Sequence, residues 1–332
     1  MESNLLKVLR GEPTPAVPVI LTGAACAAKL AGSTLDAMRV DAEEMVRVQA
    51  EFQKANGMDW VVIYSDAYYL TEAMGCQVVS GDSGPVIKEP VDYELILQVG
   101  KVDFYTIPSC KVILDSIELA VAQTPDLPVG VLFEGPFTTA TRMFGTEKML
   151  MDLIMEPQKV VGCLEVITRV LIDFVAEAQK RGVSIIYVPD PMSSKNMISP
   201  AHNQEYAQPY QKQLFAYIKG LGLASILHVC GNTKDRWPQM AATGADALSL
   251  DQVVDFREVR EALGPAVVIA GNVDPVGTLL RGEPEKVMAE AKQSFERGGP
   301  DNFILMPGCG TPPGTPAANM KALVQSAREF QK

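Results

Sequence analysis

Two metal-binding residue types stand two positions apart in Ser225-Ile226-Leu227-His228-Val229-Cys230-Gly231-Asn232, an apolar run that breaks at Gly-Asn. Side chains of a strand alternate between faces, so His228 and Cys230 would project together from the strand's C-terminal end. An imidazole beside a thiol is half of a zinc site, since zinc takes nitrogen and sulfur ligands in tetrahedral array. A third ligand is available in Leu305-Met306-Pro307-Gly308-Cys309-Gly310, another apolar run ending in a cysteine flanked by glycines. The other reading is a core histidine with buried free thiols, because free cysteine is among the most buried residue types. The chain has only two histidines, and placing one of them in His-x-Cys at a strand end favours the metal.

One nitrogen and two sulfurs leave a fourth tetrahedral position open, which is the pattern of a catalytic rather than a structural zinc. Two thiolates make such a metal electron-rich and a weak Lewis acid. Coordination nevertheless deprotonates an incoming thiol at neutral pH, so thiol activation is favoured over hydrolysis. Asp251, in Ser249-Leu250-Asp251, either holds the open position until a thiol displaces it or pairs with a base such as Arg257. Cys76, Cys110 and Cys163 read as packing residues. Cys26 lies where it could line the same mouth, and His202 reads as a surface or capping residue.

The elements that would carry these groups are short, continuously apolar runs: 17–23, 60–66, 129–135, 184–191, 224–231, 247–252, 267–273 and 303–309. Continuous apolarity is the signature of parallel strands buried on both faces. Helical patterns alternate with them, at about 41–56, 116–123, 147–154, 157–181, 200–219, 257–263, 284–297 and from 316 onward. Residues 76–90 read as a hairpin excursion. Eight β/α units predict an α/β protein formed as a single (β/α)8 TIM barrel, with that small N-terminal hairpin and one domain over 1–332. Catalytic residues of such barrels sit at strand C-terminal ends, which gathers Asp66, Glu134, Asp190, His228, Cys230, Asp251, Asn272 and Cys309 around one mouth.

Composition narrows the setting. The chain has 332 residues, 47% hydrophobic and 21% charged, enough for a large core and against disorder. A net charge of −11 argues against nucleic acid as a partner. No apolar run approaches the ~18 residues needed to span a bilayer. Met1-Glu2-Ser3-Asn4 leads into a short amphipathic segment rather than a signal sequence, and six scattered cysteines do not form a secreted disulfide framework. A cytoplasmic protein without membrane association is expected. No G-x-G-x-x-G follows the first run, and no Walker A sequence occurs.

Several segments resemble the uroporphyrinogen decarboxylase superfamily: Val62-Ile63-Tyr64-Ser65-Asp66 with Glu72-Ala73-Met74-Gly75, Phe133-Glu134-Gly135-Pro136, Leu227-His228-Val229-Cys230-Gly231-Asn232, Gly271-Asn272-Val273-Asp274-Pro275 and Pro307-Gly308-Cys309-Gly310. The resemblance covers nearly the whole chain. His-x-Cys with the late Gly-Cys-Gly is similar to the zinc-dependent methylcobamide:coenzyme M methyltransferase branch. The resemblance implies Zn2+ on His228, Cys230 and Cys309, with Asp251 as a reversible fourth ligand. It also implies a corrinoid-binding protein as partner and methylcobalamin as methyl donor or acceptor, with catalytic or orienting roles for Asp66, Asp251, Glu134 and Asn272. Asp190 and Arg142 are expected to bind the cofactor, and Arg142 and Lys195 are candidate donors for the sulfonate of coenzyme M.

The same resemblance leaves two other activities open. One is a demethylase component moving methyl from an ether or amine to the corrinoid. The other is decarboxylation, since Asp66 matches the decarboxylase's catalytic aspartate. The decarboxylase's octa-anionic substrate is met in that family by arginines after the first strand. Here Leu21-Thr22-Gly23-Ala24-Ala25-Cys26-Ala27-Ala28-Lys29 carries none, and a net charge of −11 repels an octa-anion.

Overall fold

The computed structural model describes residues 3–81 and 84–330. Its strands are β1 (Val61–Ile63), β2 (Val78–Gly81), β3 (Gly84–Ile87), β4 (Val129–Leu132), β5 (Ile185–Pro189), β6 (Ala224–Val229), β7 (Ala247–Leu250), β8 (Val268–Val273) and β9 (Phe303–Pro307). Seven form one all-parallel sheet in the order β1-β4-β5-β6-β7-β8-β9. Their side chains are buried almost without exception, as parallel strands covered by helices require. All seven run the same way, so their C-terminal ends share one rim.

The first apolar run is a correction: seven strands occur in this sheet rather than eight. Residues 17–23 form only a single parallel bridge, Val19 with Leu305. Ile20 donates to Leu305 O and Leu305 to Pro18 O, while Asp59 N donates to Val19 O, so this segment links the β9 edge to the residues entering β1. Pro18 lacks an N–H and Gly23 ends the run in a conformation (φ 155) outside the strand region, which limits the pairing to one bridge.

Helices follow the strands. Asp41 caps Ala42–Asn56 through the amides of Glu43 and Glu44, and Pro157 opens the long helix to Lys180. The helix expected at 116–123 begins earlier, at Pro108. A helix at Pro136–Phe144 escapes sequence reading because Thr138, Thr139 and Thr141 lower its propensity; tertiary contacts stabilise it, including Thr138 on the Asp190 carboxylate. Within 200–219 the chain passes through a π-helical stretch at Asn203–Ala207. Strands β2 and β3 pair antiparallel across the stretch read as a hairpin; its tip, Asp82 and Ser83, lies outside the described residues. The same holds for Met1 and Glu2 of the amphipathic start, which is helical at Asn4–Leu9, and for the last two residues of the C-terminal segment. Among the described residues no helix is long and apolar enough to cross a membrane.

Candidate metal centre

β6 ends in His228-Val229 and delivers Cys230 one residue later, so the two side chains leave the same face. His228 Nε2 lies 2.9 Å from Cys230 Sγ, and Cys230 Sγ lies 3.0 Å from Cys309 Sγ, brought in from two residues past β9. The ligand atoms of these three residues all fall within 4.8 Å of one another, and all six cysteines are free. Glycines make the approach possible. Gly231 (φ +77) turns the chain directly after Cys230. A Cβ on Gly308 would stand 2.4 Å from the Gln252 amide, so only glycine lets the end of β9 lie against the segment after β7.

The imidazole is held from behind. In the β6–β7 register His228 faces Ser249, and its Nδ1 lies 3.0 Å from Ser249 Oγ and 3.2 Å from Ser249 O. Tyr187 stacks on the imidazole at 6.0 Å between ring centroids, with its hydroxyl 3.3 Å from Ser249 Oγ. Nδ1 is thereby committed to Ser249, and Nε2 faces the sulfurs. Ser249 was missed in the sequence, although a lone hydroxyl in Ala247-Leu248-Ser249-Leu250, two residues before Asp251, was the available signal.

The two sulfurs titrate as a pair. Cys309 is pulled down because the Cys230 thiol donates to it, against the cost of burial. Cys230 is pushed up by the same hydrogen bond, by burial and by the charge on its neighbour. One proton leaves readily and the second is held. The remaining cysteines behave differently: burial raises the Cys26 thiol to about 11, Cys76 and Cys163 to about 12, and Cys110 further.

The other expected residues fall in several places. Asp251 is buried beside the ligands, and its carboxylate accepts from Gly231 N at 2.8 Å and Val253 N at 3.1 Å. Arg257 is not among its partners in these contacts, and the three-residue ligand group does not include Asp251. Asn272 Nδ2 donates to Asp251 O (3.2 Å) and Val254 O (2.7 Å), bracing that turn, while its Oδ1 accepts from Ser294.

Asp66, Glu134 and Arg142 lie across the rim, over β1 and β4. Asp66 accepts from Arg39 at 2.5 Å, from Ser65 Oγ and from Tyr68 N, and Arg39 also reaches Glu72 at 2.7 Å. Ser109 donates to the same Glu72 carboxylate. Glu134 is buried and pairs with half-exposed Arg142 at 3.0 Å; burial raises its pKa and Arg142 opposes the rise. The Arg142 guanidinium lies over the Tyr68 ring. Arg39 was not found in the sequence, because nothing local ties it to an aspartate 27 positions away.

Asp190 is fully enclosed, accepting from Thr138 N and Oγ1 and from Gln211 Nε2; burial raises its pKa. Lys195 is exposed. Cys26 is a buried residue of the helix Ala24–Leu30, and the hydroxyl of Tyr64 accepts from Ala24 N. His202 lies in a single helical turn, edge-on to Tyr206.

A parallel sheet with an imidazole and two thiols converging at its strand ends defines an α/β protein with a candidate metal centre, and comparisons give it a family. Residues 1–330 match the family model of uroporphyrinogen decarboxylase (URO-D), and the chain belongs to that family. Among its relatives, a methylcobamide:CoM methyltransferase (MtbA) of Methanosarcina mazei is 28% identical, covering 99% of this chain and 98% of the relative. A uroporphyrinogen decarboxylase of Myxococcus xanthus is 27% identical, covering 98% and 96%. Among solved structures, a methyltransferase from Methanosarcina mazei superposes with a TM-score of 0.90 at 27% identity, covering 98% of this chain and 97% of its own.

Proposed function

We propose that this chain is a corrinoid-dependent methyltransferase that moves a methyl group between a methylcobamide, carried on a corrinoid protein, and a small thiol such as coenzyme M. The convergence of His228 Nε2, Cys230 Sγ and Cys309 Sγ carries the reading, and the full-length likeness to a methylcobamide:CoM methyltransferase supports it.

The donor set suits zinc, which takes imidazole nitrogen and thiolate sulfur, and the three donor atoms lie within 4.8 Å of one another. His228, Cys230 and Cys309 would hold the ion. When bound, zinc would keep an incoming acceptor thiol deprotonated and nucleophilic at neutral pH.

The protein's own groups orient and shield. Asp251, beside the ligand loop, would serve as the exchangeable fourth donor, and Asn272 keeps its turn in place. Arg142 would meet the anionic end of the acceptor, with Glu134 fixing the guanidinium. Asp190 acts behind it, anchoring Thr138 on the helix that also carries Arg142. Asp66 braces the β1 side through Arg39. The architecture we infer is one domain, a (β/α)8 barrel in which residues 17–23 take the place of an eighth stave.

Decarboxylation is the weaker reading. Asp66 is held in an ion pair with Arg39, so its charge is engaged within the protein rather than presented to a substrate. The test is metal analysis of the purified protein, followed by methylcobalamin with a panel of thiols. Stoichiometric zinc and thiol-dependent appearance of cob(I)alamin are expected. Absence of zinc, or no demethylation with any thiol, overturns the proposal.

A further inference from the structure

We infer that Ser249, backed by Tyr187, is a positioning residue that fixes the tautomer and direction of His228, so that Nε2 is presented as an electron-pair donor toward the two sulfurs. The inference rests on the metal-centre reading above and extends it to a residue outside the ligand set.

The geometry is specific. β7 is buried throughout, and Ser249 carries the one side-chain hydroxyl among its four residues. A hydroxyl enclosed in an aliphatic strand is costly unless it is hydrogen-bonded. This one has three neighbours: His228 Nδ1 at 3.0 Å, Tyr187 OH at 3.3 Å and Met306 Sδ at 3.4 Å. The thioether offers only an acceptor. If Ser249 Oγ donates to Met306, its lone pairs face Nδ1 and the tyrosine hydroxyl. Nδ1 must then carry the proton, which leaves Nε2 unprotonated on the side of Cys230 and Cys309. The Ser249 carbonyl, 3.2 Å from Nδ1, favours the same tautomer. A ligating histidine whose other nitrogen donates to a fixed acceptor is better oriented and more basic. Tyr187 stacks on the ring and limits its rotation about the strand.

A purely packing role makes a different prediction, and metal affinity separates the two. Zinc affinity is measured by competition with a chromophoric chelator for the wild type and for Ser249→Ala, Ser249→Thr, Tyr187→Phe and His228→Ala, with folding followed by circular dichroism. Ser249→Ala is expected to bind zinc about tenfold more weakly, at the low end of outer-partner effects because the backbone carbonyl remains. Ser249→Thr, which keeps the hydroxyl, should restore most of the affinity. Tyr187→Phe should cost about threefold, one indirect hydrogen bond. If Ser249→Ala stays folded with wild-type affinity while His228→Ala loses zinc, the role of Ser249 is refuted and the metal centre stands. If the wild type itself takes up no zinc, the metal reading falls, and the inference with it.

Discussion

At and just past the ends of β6 and β9, three ligating atoms face one another, with Ser249 of β7 and Tyr187 of β5 at the imidazole. Over β1 and β4, by contrast, the charged side chains have matched one another: Arg39 with Asp66 and Glu72, and Arg142 with Glu134. The first region holds two half-buried thiols in contact with one another. The second holds acids and guanidiniums whose charges largely cancel. One side of the rim therefore gathers three donor atoms at one point, while the acids and guanidiniums of the other are engaged with one another. Catalysis that depends on orientation and desolvation, rather than on proton transfer, needs that division of labour.

The contrast is broken most directly at a ligand. Cys309→Ala should lose stoichiometric zinc and thiol methylation to background, whereas Asp66→Asn should keep its zinc; elemental analysis of the two variants decides. If Cys309→Ala retains a full complement of metal, the thiol half is not the centre.

Alkylation tests the same contrast without mutation. In native, metal-free protein, iodoacetamide should modify Cys230 and Cys309 well before Cys26, Cys76, Cys110 and Cys163, whose thiols are buried and pushed up in pKa. Added zinc should protect the pair, as peptide mapping would show. Uniform labelling of all six would mean that the two regions are not chemically distinct.

Arg39→Ala sharpens the other side. It strands the Asp66 carboxylate, whose side chain is only 4% exposed, without its cation. A loss of about 3 kcal/mol in denaturant stability is expected, with zinc content unchanged. A loss of zinc instead would couple the halves.

The smallest effect is on pH dependence. The folded-state pKa of Glu134 lies above its ordinary value of 4.5. The native state therefore binds more protons than the unfolded chain above pH 4.5, and stability falls as pH rises through that window. Glu134→Gln should flatten this decline and leave half-exposed Arg142 to water at little cost. An unaltered slope in denaturation midpoints from pH 4.5 to 8 would show that Glu134 is not its source.

Much of this was legible locally. Strand alternation put His228 and Cys230 on one face, and each ligand follows directly from an apolar run ending at glycine. The β/α rhythm likewise located the seven strands of the sheet, because burial on both faces leaves a continuous apolar mark. Residues 17–23 carry the same mark without forming a strand; apolarity records burial and says nothing about how many backbone groups pair.

Ser249 and Asp190 show the limit at the level of single residues. Both are polar groups at strand ends or within strands, yet one lies behind the imidazole and the other deep under a helix. The amino-acid order alone determined which donor atoms the protein owns and which strand ends would present them. Tertiary structure decided their partners: Ser249 behind His228, Arg39 on Asp66, Thr138 and Gln211 around Asp190. A period of two or 3.6 residues is set by the backbone itself, whereas contacts across 21 to 52 positions depend on how the strands and helices dock.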